Sequence, residues 1–417
     1  GETLYSIRIK AVSTGLEDSK WTITAANTLS EQIFLPIIPG DVKSTEATLR
    51  WIPNSTVTHI FLNPGSISHL ITPTEKANGV ATITGLASET NYTATLYNSS
   101  KTRGIQLFTT GIDIGTGILV TPTDDIIKMI NEASSGDIFV FEPGDYTAQT
   151  GIIALDKTIT LRGLRTYNKP KLKLNFQLND GVSNFSLIDL DLIGSTSPTD
   201  NTALAGALIE IKGAGSIYGD ILISNCNLHD FPSSPLVYAS GAGSKTKSFI
   251  VDNSIIKNMA TSTDLIDFRA AYAADIILQK STFDTCSSRD FIREDNKGTV
   301  SAKGLTSNIL IDKCTLYNLA STRVVYVRFE ANAITVTNTI FTDTATIYTN
   351  QSLTSAPVYT NNNYFNAPGL NAGVATNKPD LNGTVLDPQF LSPSTGDLTV
   401  KNQTIVDKKI GDPRWIK

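Results

Sequence analysis

The sequence predicts an all-β chain in which a small β-sandwich precedes a long parallel solenoid. Three observations predict it. Thr, Ile, Val, Ser and Asn abound while helix formers rarely cluster. Five near-identical apolar segments, beginning at residues 220, 248, 275, 308 and 333, recur in phase with a wandering period near 27. The first third instead shows short period-2 strands separated by polar turns.

Residues 1–34 read as a hairpin. Tyr5, Ile7 and Ile9 alternate with Ser6, Arg8 and Lys10, a turn follows around Gly15, and Trp21, Ile23 and Ala25 return. An isolated hairpin is marginal in water, so this one is expected to pack on something. Residues 35–111 form a fuller unit, with Trp51 on an early strand, Leu86, Thr90 and Tyr92 at a corner, and Phe108-Thr109-Thr110 closing it. On these residues the segment resembles a fibronectin type III domain, and the hairpin resembles the tail of a truncated preceding copy. The resemblance implies a spacer role.

Residues 112–417 read as the solenoid. Thr123-Asp124-Asp125 predicts a helix over about 123–134, with Thr123 as N-cap, an apolar face of Ile126, Ile127, Ile130 and Ala133, and Gly136 as the stop. After it come Ile138-Phe-Val-Phe-Glu-Pro-Gly144-Asp145-Tyr146 and Ile159-Thr-Leu-Arg-Gly163. This run resembles the entry turn of right-handed parallel β-helices of the pectate-lyase type, including chondroitinase B-like and alginate lyases. The fold implied is a single-stranded right-handed parallel β-helix.

The recurring segments set the expected register. Ile221/Ile223, Phe249/Val251, Ile276/Leu278, Ile309/Ile311 and Ile334/Val336 should point inward. Leu222, Ile250, Ile277 and Leu310 should then face outward as an apolar column, which predicts cover by a long loop, the C-terminal segment or another subunit. Cys226 and Cys314 share a column three coils apart. At about 4.8 Å per coil they are too distant to bond and read as buried thiols.

A second strand precedes each segment and carries the candidate site. Stacking 209–212, 236–239, 266–269, 290–293 and 325–328 turns Ile211, Tyr238, Phe268, Ile292 and Val327 inward. It places Lys212, Arg269, Arg293 and Arg328 in one outward column. Two readings stand side by side: a surface network balanced by Asp267, Glu294, Asp295 and Glu330, or a cationic track for an anionic sugar chain. In the second, the loops 213–219, 240–247 and 294–307 wall a groove, and Tyr326, Tyr218 and Tyr272 offer stacking faces. The lyase resemblance implies β-elimination from a uronate, with Arg269, Arg293 and Asp267 in catalytic parts. Lys212, Arg328, Tyr326 and Glu294 would bind substrate, and calcium would be an optional cofactor whose ligands the sequence does not name. Hydrolysis would need two opposed carboxylates, such as Asp267 with Glu294 or Asp295. Non-catalytic glycan binding, adhesion and a purely architectural role are the alternatives.

Composition excludes other classes. A net charge of −5 and a pI of about 5.4 do not favour nucleic acid. Three His and three Cys, widely scattered, do not form a zinc cluster. No apolar run reaches the roughly 20 residues needed to span a bilayer. The closing motifs Leu386-Asp-Pro-Gln-Phe390 and Gly411-Asp-Pro-Arg-Trp415, with the fibronectin-like lead, resemble a group of secreted Bacteroidetes proteins with pectate-lyase-like β-helices. That likeness implies a secreted, cell-surface or periplasmic setting, with an upstream lipid anchor as an option and acidic polysaccharide as partner.

Overall fold

The computed structural model describes residues 3–28, 30–38, 40–197, 199–200, 202–295 and 305–417. It divides into two units, Gly1–Gly115 and Thr116–Lys417.

In the first unit, Leu4–Ile9 pairs antiparallel with Thr22–Asn27, so the predicted hairpin forms. Its large apolar side chains lie open: Tyr5, Ile9, Trp21 and Ile23 are all more than half exposed. Beyond the hairpin, Glu46–Arg50 pairs with Val80–Thr84. A second sheet is ordered Ile67–Leu70, His59–Asn63, Asn91–Asn98, Lys101–Thr109. Alternation along these strands sends Leu49, Ile60, Leu62, Ile83, Ala94 and Leu96 into one core with Trp51 and Phe108. Tyr92 is buried there, and its hydroxyl accepts the Ala87 N–H at 2.9 Å, fixing the corner. A short helix, Pro73–Asn78, joins the two sheets and carries a Thr72/Glu75 capping box that the sequence reading did not single out.

The second unit is a parallel β-helix. Its long face is a ten-strand parallel sheet running from Ile118–Val120 to Val358–Thr360. On this face the pairing is the one the repeat predicts: Ile221, Phe249, Ile276, Ile309 and Ile334 are successive partners, and all are buried. The other two faces diverge from one long strand, Lys171–Leu178, whose start pairs with Asp191–Ile193 and whose end pairs with Ile209–Ile211. One of them, the tail face, continues through Asn227–Phe231, Ile255–Met259, Thr282–Asp284, Thr315–Tyr317, Ile340–Thr342 and Asn363–Phe365. The arginine face continues through Val237–Ala239, Ile266–Phe268, Asp290–Glu294 and Arg323–Val327.

Each coil bends between the long face and the tail face at a residue with positive φ. The column is Asp189, Asn225, Asn253, Lys280, Lys313, Asn338 and Asn361, with φ between 48° and 57°. Asn and Asp tolerate this left-handed region best among residues with a Cβ. Their carboxamides also bond along the stack: Asn253 Nδ2 donates to Asn225 Oδ1 at 3.2 Å, and Asn361 Nδ2 to Asn338 Oδ1 at 2.8 Å. Beside it runs a buried polar column, Cys226, Ser254, Ser281, Cys314, Thr339 and Asn362, in which side-chain oxygens accept the N–H of the neighbouring coil. Cys226 and Cys314 are free and buried, as the column argument requires, and Cys286 is free and buried too.

Two expectations are corrected here. The helix runs only from Ile126 to Asn131, and its N-cap is Asp125, whose carboxylate accepts the Lys128 N–H at 3.0 Å. Thr123 is displaced from that role because Asp124 forms its own turn by accepting the Thr121 N–H at 2.7 Å. The C-terminal segment does cover a sheet, but the tail face, not the long one. Trp415 Nε1 donates to Thr282 Oγ1 at 2.8 Å, Thr282 Oγ1 donates to Asp412 at 2.7 Å, and Ile340 packs with Val400, Ile405 and Ile410. Leu222, Ile250, Ile277 and Leu310 on the long face stay half-buried.

Candidate functional site

The arginine face is built from very short strands that leave a tight corner. At that corner two consecutive residues are buried in every coil: Leu208/Ile209, Leu236/Val237, Leu265/Ile266, Phe291/Ile292 and Val324/Val325. The true register therefore differs from the one read off the sequence. Glu210, Tyr238, Asp267, Arg293 and Tyr326 are the paired column. The inward column beside it is Ile211, Ala239, Phe268, Glu294 and Val327. Tyr238 thus points outward and is 36% exposed, opposite to expectation. Arg293 lies one column over from Lys212, Arg269 and Arg328, and Asp295 follows Glu294 where an arginine was expected.

Arg269 and Arg293 are brought together, but around acids. Arg269 grips Asp267 with Nε at 2.8 Å and with Nη2, and Nη2 also reaches Asp264 at 2.9 Å. Arg289 donates to Asp264 from Nε at 2.9 Å. Arg293 pairs with Asp295 at 2.6 Å and stands 3.7 Å from Asp264. Arg323 donates to Asp290 at 2.6 Å. Four guanidinium groups thus meet four buried carboxylates, Asp264, Asp267, Asp290 and Asp295. The bonds from Asp267 hold the Arg269 guanidinium above its ordinary pKa. Burial pushes Asp267 upward, and its bonds to Arg269 oppose that push. A guanidinium clamped this way keeps its proton, so the geometry at Arg269 offers no base, and the pair does not form a free cationic track. Calcium does not fit here either: the buried carboxylates face arginines, and a cation would have to displace them. Among the described residues no group of three or more His, Cys, Asp or Glu is arranged to hold a metal.

The remaining predicted residues separate cleanly. Glu294 is fully buried, not at the surface. Its carboxyl accepts the Ala273 N–H at 2.8 Å and bonds Ser307 Oγ, and burial without a cation pushes its pKa up to about 8. Tyr218 is buried with its hydroxyl on Leu178 O at 3.0 Å, and Tyr272 is buried with its hydroxyl on Thr306 O at 2.7 Å, so neither offers a sugar-stacking face. Tyr326 is half-buried, with the guanidinium carbons of Arg323 and Arg293 at 4.4 and 4.9 Å from its ring centre. Lys212 and Arg328 are exposed and have no carboxylate within ion-pair distance among the described residues. Strands begin at Ile217 and Lys245, so the first two proposed wall loops are tight turns. Of the third, residues 296–304 lie outside the described residues.

The sequence reading missed a titratable cluster on the tail face. His229 bonds Asp191 at 3.0 Å and Asp230 at 2.7 Å, and these bonds raise its pKa. Asp230 also accepts from Asn258 Nδ2 at 2.9 Å. It edges a cleft of about 390 Å³ lined with Ser195, Thr196, Asp200 and Asn258. His229-Asp230 is a visible dipeptide, but Asp191 comes from the preceding coil and only the coil register brings it there.

Comparison with known proteins gives partial matches. Two family models match, each described as a domain of unknown function: DUF4957 over residues 144–286 and DUF5123 over residues 309–415. No curated protein matches the chain. Among solved structures, a PL6 family alginate lyase, AlyGC, is similar at 12% identity and a TM-score of 0.31, over 66% of this chain and 46% of that one. This chain therefore spans less than half of that relative's length. A family 28 exopolygalacturonase from Yersinia enterocolitica is similar at 9% identity and a TM-score of 0.19, over 81% of this chain and 99% of that one. Neither likeness bears on chemistry. No helix among the described residues is long and apolar enough to cross a membrane.

Proposed function

We propose that this chain is an exported carbohydrate-binding β-helix protein that engages acidic polysaccharide along its arginine face and does not cleave it at Arg269 and Arg293. One observation carries the reading. The paired column sets Glu210, Tyr238 and Tyr326 at the surface around the buried Asp267 and largely buried Arg293, flanked by exposed Lys212 and Arg328. Rings take the C–H faces of sugars, the half-buried Glu210 carboxylate takes hydroxyls, and the two open cations favour acidic residues. β-Elimination at this place lacks a free base, because the bonds from Asp267 hold Arg269 charged and Arg293 is engaged with Asp295 at 2.6 Å. The first unit then serves as a fibronectin type III-like spacer, a reading supported by buried Trp51 and the Tyr92 corner bond.

The test is affinity electrophoresis through gels containing polygalacturonate, alginate or neutral glucan at about 1 M salt, where the screening length falls to roughly 3 Å and stacking outlasts charge attraction. The wild type should be retarded, and the Tyr238→Ala/Tyr326→Ala double variant should run freely. Ultraviolet absorbance from unsaturated ends should stay flat. Rising absorbance, or a double variant as retarded as the wild type, would overturn the reading.

A further inference from the structure

The bend column between the long face and the tail face carries basic groups in a regular series. Lys280 and Lys313 occupy it directly. Lys169 reaches it at Asn225, with Nζ 3.5 Å from Oδ1. Arg414 reaches it at Asn253, where Nη2 donates to the backbone oxygen at 2.7 Å and to Oδ1 at 2.9 Å. The C-terminal segment runs back along the same column, with Gly411 N–H on Asn338 O at 2.7 Å, and its Lys409 lines a cleft together with Lys313. Consecutive coils at Asn225, Asn253, Lys280 and Lys313 therefore each present one cation, at about 4.8 Å per step, with Lys409 near the last of them. These five groups come from distant parts of the sequence, and only the coil stacking and the returning tail align them.

Of the acids along this corner, Asp189 and Asp312 bond carboxamides, while Asp252 and Asp412 lie near two of the five cations. Asp189 accepts from Asn225 at 2.5 Å, and Asp312 accepts from Asn338 at 3.1 Å. Asp252 accepts from Gln279 at 3.0 Å and lies 3.8 Å from Lys280. Asp412 is buried on Thr282, with Arg414 at 3.5 Å. Lys169, Lys313 and Lys409 have no carboxylate within ion-pair distance among the described residues. Lys169 is moreover half-buried, and burial together with nearby Arg414 depresses its pKa, although Cys226 and the acids Asp189 and Asp191 act the other way. A cleft of about 320 Å³, lined by Lys313, Val406, Lys409, Gly411, Pro413 and Ile416, opens beside the column.

We propose that this corner is a second binding ridge, for a linear polyanionic glycan with regularly spaced carboxylates or sulfates. One cation per coil matches a ligand with one anion per repeat, and the amines with no carboxylate partner gain most from it. The ridge is separate from the Tyr238–Tyr326 strip and does not depend on it.

The test replaces Lys280, Lys313 and Lys409 together by Asn. All three sit at positive φ, and Asn already fills that conformation at neighbouring rungs, so the fold is kept. Binding to polygalacturonate and to heparin is measured by calorimetry at low and high salt, with anionic phospholipid vesicles alongside. The low-salt affinity should fall roughly tenfold, as loss of three surface charge contacts implies, and the salt dependence should flatten. The Tyr238→Ala/Tyr326→Ala variant should keep its salt-dependent part. Equal affinity in the triple variant, absence of polyanion binding in the wild type, or binding to vesicles alone would each overturn the proposal.

Discussion

Glu294 gives the sharpest test of the register. It sits in the inward column between Phe268 and Val327, with the Ala273 N–H and Ser307 as partners and the Asp275 charge acting on it. Burial raises its carboxyl from an ordinary 4.5 to about 8, so it is neutral in the fold at pH 7. In the unfolded chain it ionises near its ordinary value. Between those two values the unfolded state binds fewer protons, so stability is full below about 4.5, falls as pH rises, and levels off above about 8. The whole change is worth roughly 5 kcal/mol, at about 1.4 kcal/mol per pH unit. Glu294→Gln keeps the shape and both hydrogen bonds and removes the titration. Urea midpoints for the wild type and Glu294→Gln should converge near pH 4.5 and separate steadily up to pH 8, with the variant the more stable. Parallel profiles would show that Glu294 is charged in the fold, and the inward placement would be wrong.

Three further outcomes follow from the same contacts. Asp264→Ala leaves Arg269 and Arg289 without their shared buried partner and should cost about 3–5 kcal/mol by denaturant melt, while Arg289→Ala, at a partly exposed pair, should cost far less. Tyr364 joins Tyr348 at 2.6 Å to Asp380 at 2.9 Å inside the last coils, so Tyr364→Phe should cost about 1–3 kcal/mol and speed hydrogen exchange in the final coils first. Asn338→Val puts a β-branched residue at φ 49° and breaks the bonds to Asp312 and Asn361; it should lower the melting temperature, whereas Asn338→Gly should recover most of the loss.

The long face was legible because its strands are long and its two faces differ. Ile221, Leu222 and Ile223 already fix the register once Phe249, Ile250 and Val251 are laid over them, since a slip of one residue would turn every buried side chain outward. The arginine face was not. Its strands are as short as three residues, and the corner buries both Phe291 and Ile292, so alternation gives no phase. Glu294 reads as a surface residue in any sequence, and only the coordinates show it surrounded. The acids that neutralise Arg269 and Arg293 include Asp264, which no local spacing marks as their partner.

The sequence by itself determined that this chain stacks parallel coils, which side chains fill the long face, and that its cysteines stay apart, because a repeated apolar pattern has one packing solution. Only the tertiary structure decided which charges cancel, which amines remain open, and where the C-terminal segment lies. Electrostatic partners are chosen by proximity across coils, and proximity there follows from the corner geometry and the returning tail, neither of which leaves a period in the sequence.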